Sequence, residues 1–280
     1  MREVAIIGAG EIGGAAAHVL ARQDSVRSIR LVDETGSIAA GKALDIAQAA
    51  PVEGFATEIS GTNDIASAAG ASVIVIADRA GAGEFQSDEA VLLAKRLARM
   101  APAAVLVCAG ASQRDLVHRG VRELHLDRKR IFGTAPEALT AGGRALCALA
   151  VNGSPRDVGL SILGNPPAHT VVLWESAAIG GVALTSLVDE PTRRRLHARI
   201  TASWPPGPYA LACAAAAAVD VMCGRTRRTL TCFVGPDSSA GTRARTAALP
   251  VRLGADGVSE VVIPVLSPFE QTALANAMNV

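Results

Sequence analysis

Aromatic side chains are scarce in this chain: two Trp, one Tyr and five Phe make up 3% of 280 residues. A core built from this composition must come from Ala, Val, Leu and Ile rather than from rings. Charge of one sign is lacking too, because 27 Lys and Arg face 26 Asp and Glu for a net charge of +1. That balance argues against nucleic acid or an anionic membrane surface as a partner. No apolar run is long enough to span a bilayer. The chain runs straight into a strand without a signal peptide, so a cytoplasmic protein is expected. Cys108, Cys147, Cys213, Cys223 and Cys232 include no CxxC pair and read as small core residues in a reducing compartment. His18, His118, His125, His169 and His197 show no metal-ligand spacing, so no metal site is expected.

What the sequence does contain is a glycine turn near its start. Val4 to Ile7 is an unbroken apolar run, as in a parallel strand buried on both faces. Gly8, Gly10 and Gly13 follow with GxGxxG spacing, and Glu11 and Ile12 lie between the last two. The first glycine permits a tight turn, the second a close approach of pyrophosphate, and the third helix-on-strand packing. The following helix offers its N-terminal amides to phosphate. Such a motif gains meaning from an acidic residue about twenty positions later, at the end of a second strand. Asp33, closing Ile29 to Val32, stands there. A carboxylate at that place accepts hydrogen bonds from the ribose hydroxyls of NAD and repels the extra phosphate of NADP. NAD is the expected cofactor, with Gly8, Gly10, Glu11, Ile12, Gly13, Asp33 and Ala77 as its expected contacts.

Strand and helix patterns then alternate. Helix is expected over 36–48, within a segment ending at Pro51, and again over 88–100 and 116–124. Strands are expected over 57–60, 72–77, 104–108 and near 130–133, and Asp78 to Ser87, with Gly81 and Gly83, reads as a mobile loop. The alternation means a doubly wound parallel sheet whose ligands sit at the carboxyl ends of its strands. The second half is a mixed α+β region with an alanine-rich helix over 211–222. Strands are expected over 230–234, 247–253 and 258–265, the last two joined through Asp256-Gly257. Ser267, Pro268 and Glu270 form a capping box for a last helix. The expected organisation is a Rossmann domain over 1–140 and a C-terminal domain over 141–280.

These residues resemble the NAD-dependent malate/lactate dehydrogenase family. The resemblance covers essentially the whole chain and rests on Gly8 to Gly13, Gly41-Lys42-Ala43-Leu44-Asp45-Ile46, Gly61-Thr62-Asn63-Asp64, Val73 to Ala77 and Leu249 to Val258. It implies a Rossmann fold followed by a malate/lactate dehydrogenase-like C-terminal domain. It also implies a homo-oligomer, dimer or tetramer. The family's chemistry uses a histidine oriented by an aspartate, a substrate-binding arginine, arginines on a mobile loop, and an asparagine. In this sequence the histidine position falls on Pro166, the aspartate on Leu139 and the substrate arginine on Gly142. The loop arginines fall on Ala82 and Asp88, and the asparagine on Ala109 or Ser112. Thr192 to Pro208 looks abbreviated, with Trp204 to Pro208 replacing helix.

The expected function is therefore an NAD-binding pseudoenzyme, a sensor or a structural or regulatory partner with a possible hetero-partner. The competing expectation is an active NAD-dependent oxidoreductase with an altered substrate. In that reading His169 is the relocated acid/base, and Asp78, Arg79, Glu84 and Asp88 line the pocket.

Overall fold

The computed structural model describes residues 2–237 and 245–278. Its first half alternates as the sequence pattern requires. β1 (Glu3–Ile7), α1 (Glu11–Gln23), β2 (Ser28–Val32), α2 (Gly36–Glu53) and β3 (Glu58–Thr62) form the first unit. β4 (Val73–Ile76) follows, then a hairpin of two short strands, β5 (Asp78–Arg79) and β6 (Gly83–Glu84). α3 (Ser87–Met100), β7 (Val105–Cys108), α4 (Arg114–Arg122), β8 (Ile131–Gly133) and α5 (Ala135–Ala150) complete the alternation. β1 to β4, β7 and β8 make a parallel sheet in the order β3-β2-β1-β4-β7-β8. The order reverses between β1 and β4, which opens a crevice beyond their carboxyl ends. β4 and β7 are buried at every position, the signature of strands covered on both faces.

The remaining elements are β9 (Val158–Gly159), β10 (Ile162–Asn165), β11 (His169–Val172), β12 (Ala178–Ile179), β13 (Val182–Ala183), α6 (Leu184–Leu187), α7 (Glu190–Ala202), α8 (Pro208–Met222), β14 (Leu230–Val234), β15 (Ala247–Gly254), β16 (Gly257–Val261) and α9 (Pro268–Met278). β14 pairs antiparallel with β8 and continues the same sheet through β15, β10 and β11. β9, β12 and β13 form a small separate sheet. Ala16, Ala17 and Leu20 of α1 share one apolar cluster with Ala212, Ala215, Ala216 and Val219 of α8. Small side chains let these helices approach closely, which is how a core poor in rings fills its volume.

Local differences from the sequence reading have identifiable causes. α2 runs beyond Pro51 to Glu53 and closes at Gly54, whose φ of 76° and N–H to Ala50 supply the left-handed cap. The segment after Asp78 is not an open loop. It folds back as the β5–β6 hairpin, and three carboxylates tie it down. The capping box is formed: Ser267 N–H donates to Glu270 at 2.8 Å, and Glu270 N–H to Ser267 Oγ at 3.4 Å.

Candidate functional site

The glycine turn joins β1 to α1 at the crevice. Gly8 has φ 103° and donates to Val32 O at 2.7 Å. A Cβ on Gly13 would lie 1.9 Å from Gly8 O, so the third glycine is there to let the helix pack. Lys42, from the Gly41–Ile46 segment, donates from Nζ to Gly10 O at 2.6 Å and pins the turn from α2. Gly10 N–H donates to Asp78 O at 2.8 Å, which brings the start of the β5–β6 hairpin against the turn.

The Asp78 carboxylate then occupies the seat that the turn creates. Its oxygens accept from Glu11 N–H and Gly13 N–H, each at 2.9 Å, at the start of α1. A Cβ on Gly10 would lie 2.3 Å from Asp78 Oδ2. The missing side chain at Gly10 is thus filled by the chain's own anion. The donors satisfied are the orphan amides of a helix N-terminus, where negative charge is most favoured.

Asp33 is 4% exposed and equally committed. One oxygen accepts from Ala9 N–H at 2.7 Å and from Ala80 N–H at 2.9 Å, and the other from Thr35 N–H at 2.9 Å. Ala80 belongs to the hairpin, so Asp33 fastens the hairpin tip while Asp78 fastens its base. The far strand ends in Glu84, whose carboxylate accepts from Ala111 N–H at 3.0 Å, Ser112 N–H at 2.8 Å and Ser112 Oγ. A Cβ on Gly110 would lie 2.3 Å from Glu84 Oε2. Gln113, fully buried, accepts from Gly110 N–H and donates to Ala77 O, linking the ends of β4 and β7.

What stays open beside this hairpin is a cleft of about 510 Å³, with Glu11, Asp78, Glu84, Ser112 and Trp204 among its walls. Among the residues lining it there is no Lys, Arg or His. The expected cofactor contacts Gly8, Gly10, Glu11, Ile12, Gly13, Asp33 and Ala77 lie together at the ends of β1, β2 and β4. Of the residues expected for an altered active site, Asp78 and Glu84 line the cleft, whereas Arg79 pairs with Glu89 and lies over Phe85. Asp88 pairs with Arg119 at 2.8 Å. His169 sits on β11, the opposite edge strand of the sheet, and lines another cleft with His197 and Phe269.

The positions matched to the family's catalytic residues carry other duties. Leu139 is buried in the core cluster of the C-terminal half, and Ala109 is buried at the end of β7. Arg144 donates to Glu137 at 3.2 Å and to Leu160 O at 3.2 Å. Glu137 also accepts from Thr231 N–H at 2.8 Å, and burial pushes its carboxyl above the usual range against the pull of Arg144. Lys42 and Gln113 were not legible as parts of the site, because Lys42 reaches Gly10 across 32 residues and Gln113 reaches Ala77 across 36. The only local signal was Lys42 in the Gly-Lys-Ala-Leu-Asp segment.

Comparison with known proteins agrees with this architecture. Residues 2–87 match the family described as lactate/malate dehydrogenase, NAD binding domain. The chain is 28% identical to malate dehydrogenase of Thermomicrobium roseum, covering 99% of this chain and 95% of that one. It is similar in structure to malate dehydrogenase from Salinibacter ruber, with a TM-score of 0.90 at 24% identity over 98% of this chain and 93% of that one. Lactate dehydrogenase from Cryptosporidium parvum, solved with lactic acid and NAD, superposes with a TM-score of 0.85 at 22% identity, over 99% of this chain and 95% of that one.

Proposed function

We propose that this chain, a relative of the NAD-dependent malate/lactate dehydrogenases whose residues 2–87 match their NAD-binding domain, binds NAD(H) without acting as a 2-hydroxy acid dehydrogenase. Its role is that of a sensor, or of a structural or regulatory partner. The turn at Gly8, Gly10 and Gly13 and the carboxylate of Asp33 are the groups a dinucleotide needs. They fit NAD in kind, on the condition that the Asp78 side chain withdraws from the turn. When bound, NAD supplies a nicotinamide ring that takes or gives a hydride.

One observation carries the loss of the usual reaction. The cleft beside the turn is lined by Glu11, Asp78 and Glu84, with no cation and no imidazole among its lining residues. A 2-hydroxy acid is an anion. Its carboxylate, about 4 Å from another in surroundings of effective dielectric 20, meets a repulsion of about 4 kcal/mol instead of a guanidinium's attraction. No imidazole stands in that cleft to move the hydroxyl proton, since His169 lines a different one. Self-association as a dimer or tetramer is part of this reading, supported by Leu44 and Val52, which α2 leaves exposed. In this reading residues 1–140 supply the cofactor contacts, and the boundary expected at 140 falls within α5 (Ala135–Ala150), which joins the two halves.

The test is paired calorimetry and turnover. Titration with NADH should show saturable binding, while NADH oxidation with oxaloacetate, pyruvate and other 2-oxo acids should stay at background. Turnover on any of these, abolished by His169→Ala, would establish the active oxidoreductase instead. Absence of NADH binding at millimolar cofactor would remove the sensor role.

A further inference from the structure

The residues that would receive a dinucleotide are not waiting for one. Three stretches of the cleft present amides: the turn after β1, the start of α1 and the turn after β7. Each is closed by a carboxylate. Asp78 holds Glu11 and Gly13, Asp33 holds Ala9 and the hairpin's Ala80, and Glu84 holds Ala111 and Ser112. Two of the three carboxylates belong to the seven residues from Asp78 to Glu84, and the third receives its hairpin contact from the same segment.

We propose that the β5–β6 hairpin is an internal ligand of the cofactor cleft, with the Asp78 carboxylate standing in for the dinucleotide's pyrophosphate and competing with it. The geometry behind this is specific. An anion at a helix N-terminus over a glycine that lacks Cβ is the arrangement a phosphate would adopt, and here Oδ1 and Oδ2 of Asp78 take two amides at 2.9 Å each. The space above Gly10 is that of the carboxylate, because a Cβ there would meet both oxygens and Cγ within 2.7 Å. The Ala80 amide on Asp33 uses an oxygen that a ribose hydroxyl would otherwise use.

The competition has a direct consequence. A ligand that binds only the open form has its affinity lowered by the fraction of molecules that are open. NAD(H) therefore binds as a sensor ligand should, with its affinity set by a conformational equilibrium of the hairpin.

This inference rests on the NAD(H)-binding reading, and its test separates the two. The full chain and its Asp78→Ala and Asp78→Asn variants are titrated with NADH and melted with and without inorganic pyrophosphate. Removal of the internal anion should tighten NADH binding by at least about tenfold, the factor expected if nine-tenths of molecules are closed. Pyrophosphate should raise the melting temperature of Asp78→Ala and leave the native chain unchanged. If Asp78→Ala does not fold, Asp78→Asn, which keeps the shape and one acceptor oxygen, carries the same expectations with smaller effects. NADH binding that is equally tight in the native chain and both variants overturns the competition and leaves NAD(H) binding intact. Pyrophosphate stabilisation confined to the variants, without NADH binding in any of them, supports the internal anion and overturns the cofactor. A pyrophosphate response that is equal in the native chain and the variants overturns the internal anion.

Discussion

Gly10→Ala separates this cleft from an ordinary dinucleotide site. In a site waiting for its cofactor, a methyl at this glycine obstructs the pyrophosphate and leaves the free protein unharmed. Here the added Cβ would lie 2.3 Å from Asp78 Oδ2 and 2.4 Å from Cγ. Ordinary contact needs roughly 3.4 Å or more, so the carboxylate must move by about 1 Å. That displacement breaks the bonds to Glu11 and Gly13, both near-ideal at 2.9 Å. Hydrogen bonds to a charged group contribute about 1.5–3 kcal/mol each. The loss is about 3–6 kcal/mol in the cofactor-free protein, a fall in melting temperature of about 5–10 °C for a chain of this size.

Calorimetric melting of the free protein is the assay, and a double-mutant cycle with Asp78→Ala is its control. Asp78→Ala removes the group that the methyl meets, so Gly10→Ala should cost almost nothing in that background. The coupling should equal the cost of Gly10→Ala in the native background, about 3 kcal/mol or more. A free Gly10→Ala protein that melts within about 1 °C of the native chain would refute the reasoning.

The same logic applies at the other end of the hairpin. Gly110→Ala puts a Cβ 2.3 Å from Glu84 Oε2 and should destabilise the free chain by a similar amount, with rescue by Glu84→Ala, as melting curves would show. Glu137 gives a pH dependence: burial raises its carboxyl in the folded chain, so the native state holds this proton more firmly than the unfolded one. The stability this adds is fully present below the ordinary carboxyl value of 4.5 and is lost as pH rises through the raised folded value. Urea unfolding across that range should show the decline, and Glu137→Gln should flatten it. Arg144→Leu should destabilise by about 3 kcal/mol, the low end for breaking a buried pair, because Arg144 is itself 27% exposed. Cys108 is fully buried with its thiol pushed up to about 12, so native-state alkylation followed by mass spectrometry should modify the exposed Cys213 and spare Cys108.

What could be read from the sequence was what is local. Gly8, Gly10 and Gly13 act through their own backbones, and Ser267 and Glu270 meet across three residues, so spacing alone announced them. The buried runs of β1, β4 and β7 needed only their apolar character, and the parallel order followed from alternation with helices. The hairpin was not legible. Its strands have two residues each, too short for any periodicity, and its glycines at 81 and 83 read as freedom. Its anchors span 65 and 67 residues to the start of α1 and 47 to Asp33. No spacing rule reaches that far. Pro51 misled for a related reason: the sequence shows a helix breaker, but only the structure shows that Gly54 closes the turn beyond it.

The pairing of glycine and carboxylate explains why intact cofactor residues do not by themselves imply a receptive site. Gly10 and Gly110 each leave room above a row of amides, and buried amides must be satisfied by something. In a site built around a ligand the ligand meets that need, and the free protein meets it with water. Here Asp78 and Glu84 meet it from one short hairpin, so the closed form gains stability that the open form lacks. The two ends differ in what can replace them. At Gly10 a pyrophosphate offers charge of the same sign as the carboxylate it displaces. At Gly110 the Glu84 carboxylate holds the Ala111 and Ser112 amides, and an acid there repels an anionic substrate. Displacement by a dinucleotide's phosphates is therefore expected at Asp78, where one anion can replace another on the amides of Glu11 and Gly13.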